Sequence, residues 1–202
     1  MKNIRNIVFD YGAVLLDWNP HYVYDPYFGD VEKANWFIAN ICNMEWNSTL
    51  DAGKPFEQGV RELSAEHPEW AKEIKLYHER WIDMVAGQIE GMYEVVSQLK
   101  SKGYGIYGLT NWASETFELV RHKYPILALM DGMVVSGEEH CLKPGAQIFN
   151  ILMKRYSLKP EECVFIDDNA ANVAGARAVG MNAIQFTGRE ALLDSLRQEG
   201  II

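Results

Sequence analysis

The chain has no run of about eighteen apolar residues, so no segment can cross a bilayer as a single helix. It is short of cysteine. Cys42, Cys141 and Cys163 are its three, an odd number with no Cys-x-x-Cys pair, and the expectation is reduced, buried thiols in a cytoplasmic protein. It is short of positive charge as well, with 19 Lys and Arg against 28 Asp and Glu and a net charge of −9. That sign is repelled by polyphosphate backbones, so no nucleic-acid partner is expected. Internal repeats, low-complexity tracts and long charge runs are absent too. Lys2 and Arg5 precede an apolar stretch, Ile7 to Phe9, that Asp10 interrupts, so no cleaved signal peptide is expected. What is present is ordinary for a globular chain: 48% hydrophobic and 23% charged residues. Its 202 residues are room for one compact domain, or for one domain carrying a smaller insert.

Ile4 to Asp10 is a short apolar run closed by an acid and followed by Gly12, the pattern of a parallel strand buried on both faces. The pattern returns at Gly105 to Leu109 before Thr110, at Cys163 to Ile166 before Asp167, and at Asn182 to Phe186 before Thr187. Helical spacings lie between. Val95, Val96 and Leu99 precede Gly103; Phe117, Leu119 and Val120 follow Ser114, read as an N-cap; Ile148, Ile151 and Leu152 precede Tyr156; Val173, Ala176 and Val179 precede Gly180. Strands alternating with helices predict an α/β fold with an open parallel sheet flanked by helices.

Residues 17–88 break the alternation. Trp70, Ile74, Tyr77, Trp81 and Met84 form one helical stripe, Phe56, Val60 and Leu63 a second, and Ala34, Phe37, Ile38 and Ile41 a third. The reading is a helical subdomain without strands, 17–88, set into a core made of 1–16 and 89–202. Trp36, Trp70 and Trp81 fit its core, whereas Trp46 lies off every stripe and is the candidate for lining a substrate pocket.

In parallel α/β sheets ligands bind outside the carboxyl ends of the strands. Four polar sets stand there: Asp10, Thr110 with Asn111, the loop holding Lys143 and Pro144, and Asp167 with Asp168. Hard oxygens of Asp10 and Asp168 suit Mg²⁺, which takes only one or two protein carboxylates. Thr110 and Asn111 can donate to phosphoryl oxygens, and Lys143 can offset charge on the nucleophile and on the transferring group.

These four sets resemble the motifs of the haloacid dehalogenase-like hydrolase superfamily along essentially the whole chain. The first runs Ile7-Val8-Phe9-Asp10-Tyr11-Gly12-Ala13-Val14, the second is Leu109-Thr110-Asn111, and the third is Lys143-Pro144. The fourth is Ile166-Asp167-Asp168-Asn169, with Asn172 following. The resemblance implies that 17–88 is an α-helical cap and that Asp10 is the nucleophile, forming an aspartyl-phosphate. It also implies Mg²⁺ held by Asp10, Asp168 and the Gly12 carbonyl, with Asp167 and Asn172 in support. The expected activity is Mg²⁺-dependent hydrolysis of a small phosphorylated metabolite, a sugar phosphate among them. Two alternatives stand beside it: 2-haloacid dehalogenase chemistry, and a weakened member that binds without turnover. One departure bears on both. Phosphatases of this superfamily usually carry a second Asp two positions after the nucleophile as general acid and base, and here that position is Gly12. Asp17, Glu45 and His140 are the candidate substitutes.

Overall fold

A computed structural model describes residues 3–202; Lys2, part of the charged start, lies outside them. The chain runs β1 (Asn6–Phe9), β2 (Leu16–Trp18), then helices α1 (His21–Phe28), α2 (Val31–Asn40), α3 (Met44–Asp51), α4 (Phe56–Glu66) and α5 (Ala71–Glu79). It continues through β3 (Val85–Gln88), α6 (Met92–Ser101), β4 (Gly105–Thr110), α7 (Ser114–Val120), β5 (Gly132–Val135) and the single turn α8 (Ser136–Glu139). It ends with α9 (Ala146–Tyr156), β6 (Cys163–Asp167), α10 (Ala170–Ala178), β7 (Asn182–Gln185) and α11 (Arg189–Gln198).

Five strands form one parallel sheet in the order β5-β4-β1-β6-β7, as the alternation of strands and helices predicts. Side chains alternate across a strand, and β1 shows the consequence. Ile7 and Phe9 enter one hydrophobic core, and Val8 enters a second core on the other face with Phe149 and Phe165. The first core runs without interruption into the insert, where it takes in Tyr24, Phe37 and Tyr77. From β1 the chain steps out to β4 and β5 on one side and later to β6 and β7 on the other. The carboxyl end of β1 is therefore the topological switch point, where such sheets open a crevice.

Side-chain caps start several helices. Asp30 Oδ1 accepts from the Glu32 and Lys33 N–H groups at α2, Asn43 Oδ1 from Trp46 at α3, and Asn169 Oδ1 from Ala171 at α10.

Four sequence expectations are corrected. The insert is not strand-free: β2 and β3 pair antiparallel at its two ends, Leu16 opposite Gln88. That pairing joins residues far apart in sequence, and Asp17, Gly87 and Gln88 give no apolar pattern to reveal it. β5 was missed because it is a short edge strand with only Val134 and Val135 buried. The stripe from Trp70 to Met84 is not one helix. α5 stops at Glu79, and 3-10 turns at Pro68–Trp70 and Trp81–Met84 flank it, although Ile74, Tyr77, Trp81 and Met84 are all buried. Ser114 is the first helical residue of α7 rather than its cap; the cap position is Ala113, which has no side-chain oxygen to offer.

Gly108 in β4 shows why one strand position stays bare: a Cβ there would run into the Tyr11 ring, which stacks on Phe117 at 5.9 Å. Gly108→Ala is expected to lower unfolding free energy by about 1–3 kcal/mol through overpacking, read as a drop in the urea midpoint at unchanged slope.

Candidate active site

The ladder of β1 extends one residue past the strand, with the Asp10 N–H donating to Ile166 O at 2.9 Å. The chain then folds back. Tyr11 N–H donates to Asp10 Oδ1 at 2.7 Å, and Leu15 and Leu16 N–H both donate to Tyr11 O at 2.8 Å. Asp10 is thereby fixed at the mouth of the switch point, 8% exposed.

Lys143 arrives from the loop between α8 and α9 and is buried. Its Nζ donates to Asp10 Oδ1 at 2.8 Å, Asp167 Oδ2 at 2.7 Å and Leu109 O at 2.9 Å, which uses all three ammonium protons. Its main chain is clamped by Asn111: the Lys143 N–H donates to Asn111 Oδ1 at 2.9 Å, and Asn111 Nδ2 donates to Lys143 O at 3.0 Å. Asn111 was expected to offer its carboxamide to a substrate. Each polar atom of that carboxamide bonds the Lys143 loop, which positions the lysine, while Asn111 lines the cavity with its second Nδ2 proton unassigned.

The acidic pair divides. Asp167 is wholly buried and accepts from Lys143, from the Asn169 N–H at 2.8 Å and from Asn172 Nδ2 at 3.1 Å on each oxygen. Asp168 is exposed and lines the cavity. Asp10, Asp167 and Asp168 bring ligand oxygens within 4.8 Å of one another. Burial pushes the Asp10 carboxyl up to about 7; Lys143 pulls against this and Asp167 adds to it. Asp168 is raised by burial and then by Asp167. Three carboxyls crowded around one ammonium leave negative charge uncompensated, and hard oxygens with such an excess suit a divalent cation.

The cavity in front of Asp10 has a volume of about 410 Å³. Gly12, Trp18, Trp81 and Trp112 line it from the sheet side and the ends of the insert, and Met44, Asn47 and Ser48 from α3. Thr110 lies just behind, 1% exposed, its Oγ1 buried without a partner. Trp46 is a correction. It sits in α3 but turns into the insert, its ring edge-on to Tyr77 at 5.0 Å and its Nε1 donating to Gly59 O at 3.4 Å. The cavity face of α3 is one residue on, at Asn47, Ser48 and Asp51.

None of the three candidate acids reaches the cavity wall. Asp17 accepts from Tyr22 Oη at 2.8 Å, Glu45 is exposed in the first turn of α3, and His140 Nδ1 lies 3.3 Å from Ala52 O. Asp51, which sequence reasoning missed, does line it. The signal was an Asn47–Asp51 pair at helical spacing; Asn47 Nδ2 donates to Asp51 Oδ2 at 2.9 Å. Burial pushes the Asp51 carboxyl up to about 7, the Ala113 N–H bond and Lys143 oppose this, and Asp10 adds to it.

A stability test follows from the sign of that shift. The folded value lies above the ordinary 3.8, so the stabilising contribution of Asp51 is complete below that pH and is lost as pH rises through about 7. Asp51→Asn carries no such dependence. In urea melts without added metal, the stability difference between the variant and the parent is expected to move in favour of the variant from pH 5 to pH 8.

Comparison with known proteins accords with this geometry. A sesquiterpene phosphatase, astK of Aspergillus oryzae (strain ATCC 42149 / RIB 40), is 28% identical over 192 residues, 95% of this chain and 94% of that one. Among solved structures, a HAD-like family hydrolase from Porphyromonas gingivalis matches with a TM-score of 0.72 at 22% identity, over 98% of both chains. A magnesium complex of a HAD family enzyme from Bacteroides thetaiotaomicron matches with a TM-score of 0.72 at 17% identity, over 96% of this chain and 99% of that one. The family model for haloacid dehalogenase-like hydrolases matches residues 4–180, and the chain belongs to that family of hydrolases.

Proposed function

We propose that this hydrolase cleaves phosphate monoesters of small metabolites with a bound Mg²⁺, and that Asp10 is the nucleophile. The observation that carries the reading is the setting of Asp10. Its Oδ1 is held by Lys143 and by the Tyr11 N–H, at the edge of a cavity that Asp168 also lines. The full-length relative is itself named a phosphatase, and the Bacteroides relative binds magnesium, which supports the same reading.

Asp10 attacks phosphorus in line with the departing oxygen and forms an aspartyl-phosphate, which water then opens. Lys143 orients the nucleophile and pulls its carboxyl down against the burial that raises it. The unpartnered Thr110 hydroxyl donates to a phosphoryl oxygen, a hydrogen bond the protein alone leaves unmade. A Mg²⁺ held by Asp10, Asp168 and the Gly12 carbonyl would supply positive charge against the phosphoryl oxygens. Asp167 anchors Lys143, and Asn172, itself on the cavity wall, steadies Asp167. Residues 17–88 act as a cap over the core of 1–16 and 89–202, excluding bulk water while the intermediate forms. Dehalogenation at carbon needs no cation and leaves Asp168 crowded against Asp167 without use; the phosphoryl reading employs both.

Phosphate release from a panel of sugar, alkyl and aryl phosphates, with and without Mg²⁺, is the direct test. Asp10→Asn is expected to fall to background on every member while its circular dichroism and melting temperature stay those of a folded chain. Phosphate release near the parent rate would remove Asp10 as nucleophile.

A Mg²⁺ titration separates the acidic pair. Asp168→Ala is expected to raise the Mg²⁺ concentration for half-maximal rate far more than Asp167→Asn. Asp167→Asn is expected instead to lower stability, because it strips a buried partner from Lys143, a type of loss that costs about 3–5 kcal/mol.

A further inference from the structure

We propose that Asp51, the last residue of α3, is the acid–base group of this site, giving a proton to the leaving oxygen and later taking one from water. The inference rests on the phosphatase reading and names the group that position 12 lacks. Three carboxyls line the cavity: Asp10, Asp51 and Asp168. Asp10 is committed as nucleophile, and Asp168 stands in the acidic cluster suited to the cation. Asp167 is locked to Lys143 and wholly buried, and Asp17, Glu45 and His140 stand off the cavity wall. Asp51 is what remains.

Its placement suits the task. Ser136 Oγ donates to the Asp51 main-chain oxygen at 2.6 Å, the Ala113 N–H bonds its carboxyl, and Asn47 Nδ2 donates to Oδ2 at 2.9 Å. Asn47 is in turn fixed by Tyr77 Oη at 2.8 Å. The carboxyl is thus held by both the insert and the loop after β4, the loop that follows Thr110 and carries Asn111. A donor fixed before the substrate arrives loses little freedom in the transition state.

The bland alternative is a structural clasp, with Asp51 capping the first turn of α7. A carboxylate serving only as a cap gains from hydrogen bonds to its charged form and falls in pKa. Asp51 instead lines the cavity, where a clasp has no need to be, and burial raises its carboxyl to about 7 against the pull of the Ala113 N–H.

The step balances without further reagents. As Asp10 bonds to phosphorus, the ester P–O bond breaks and its electron pair passes to the leaving oxygen, which takes the Asp51 proton and departs as an alcohol. Asp51, now a carboxylate, takes a proton from the water that attacks the aspartyl-phosphate. The bond from phosphorus to Asp10 breaks, Asp10 departs as a carboxylate, and Asp51 is an acid again. Position 12 can receive a substitute: a Cβ on Gly12 meets nothing within 4 Å, and its φ lies outside the left-handed region.

The test uses 4-nitrophenyl phosphate, whose leaving group departs unprotonated, and a set of alkyl phosphates (glycerol 3-phosphate, glucose 1-phosphate and glucose 6-phosphate), all with saturating Mg²⁺. In Asp51→Asn, kcat/KM on the alkyl esters is expected to fall by about 10²–10⁴-fold while that on the aryl ester stays within about threefold. kcat is expected to fall on both, because opening of the aspartyl-phosphate loses its base. In the Gly12→Asp/Asp51→Asn double variant the alkyl esters are expected to recover at least tenfold of the loss, since a restored carboxyl at position 12 supplies the proton instead (about 1.4 kcal/mol). An equal fall in kcat/KM on both ester classes, or no fall on either, overturns the proposal and leaves Asp51 a clasp. A parent chain active on the aryl ester and on no alkyl ester overturns it as well. No phosphate release by the parent from any ester removes the phosphatase reading and this inference with it. Should Asp51→Asn not fold, the parent alone decides: across substituted phenyl phosphates, kcat/KM that drops steeply with leaving-group pKa shows that no acid is at work.

Discussion

The buried ammonium of Lys143 between Asp10 and Asp167 is the contact on which the site depends. Burying one charge is costly unless it is paired and hydrogen-bonded, and here every ammonium proton has an acceptor at 2.9 Å or less. That arrangement needs β1, β4 and β6 side by side, because Asp10 follows the first, Leu109 O belongs to the second and Asp167 closes the third. The sheet order is therefore a requirement of the ion cluster, and the Asn111 clamp and the Asn172 bonds to Asp167 keep its outer members in place. Removing any one strand from this neighbourhood would take an acceptor from the buried Lys143 ammonium.

The cluster is satisfied in hydrogen bonds but not in charge. Asp10, Asp167 and Asp168 face one lysine, and the raised carboxyls of Asp10 and Asp168 express that imbalance. Asp51 extends it across the cavity from the insert. Four carboxyls in unlike environments can take unlike roles: Asp10 bonds an ammonium, Asp167 is locked in structure, Asp168 is exposed to the cavity, and Asp51 is raised by burial on its far wall. On the proposed mechanism the same residue type would serve as nucleophile, anchor, ligand and acid.

What could be read in the sequence and what could not follows from the range of the interactions. Asp10, Thr110 and Asp167 stood out because apolar runs ending in a polar residue are local, and the parallel sheet they imply fixes where those ends meet; Lys143, in a loop, stood out through its resemblance to a family motif. β2 and β3 were not, since Leu16 finds Gln88 across the whole insert. Trp46 illustrates a finer limit. Its position in a polar stretch suggested a pocket, but a helix capped by Asn43 turns Trp46 onto Tyr77 and gives the cavity to Asn47 and Asp51. Helical phase decided the matter, and nothing in the residues from 43 to 47 alone sets that phase against the core. Asp51 was missed for a related reason: beyond its spacing from Asn47, what sets it apart is burial at a seam that exists only in the folded chain, with a smaller part from Asp10.

The donors left over around the cavity complete the argument. Thr110 Oγ1, Trp18 Nε1 and Trp112 Nε1 are buried without partners, and both tryptophans line the cavity. Unmade hydrogen bonds of this kind cost about 1–3 kcal/mol each when no acceptor replaces water; the Tyr11 hydroxyl, off the cavity, is also buried without a partner. A phosphate ester brings several acceptor oxygens and no strong donor on its charged end. On the phosphatase reading its oxygens would accept from the donors that face it, and a cation would take up the negative charge that the carboxyls carry in excess. Donors without acceptors and carboxylates without enough cations are two halves of one deficiency, the one that the proposed ester and cation would fill.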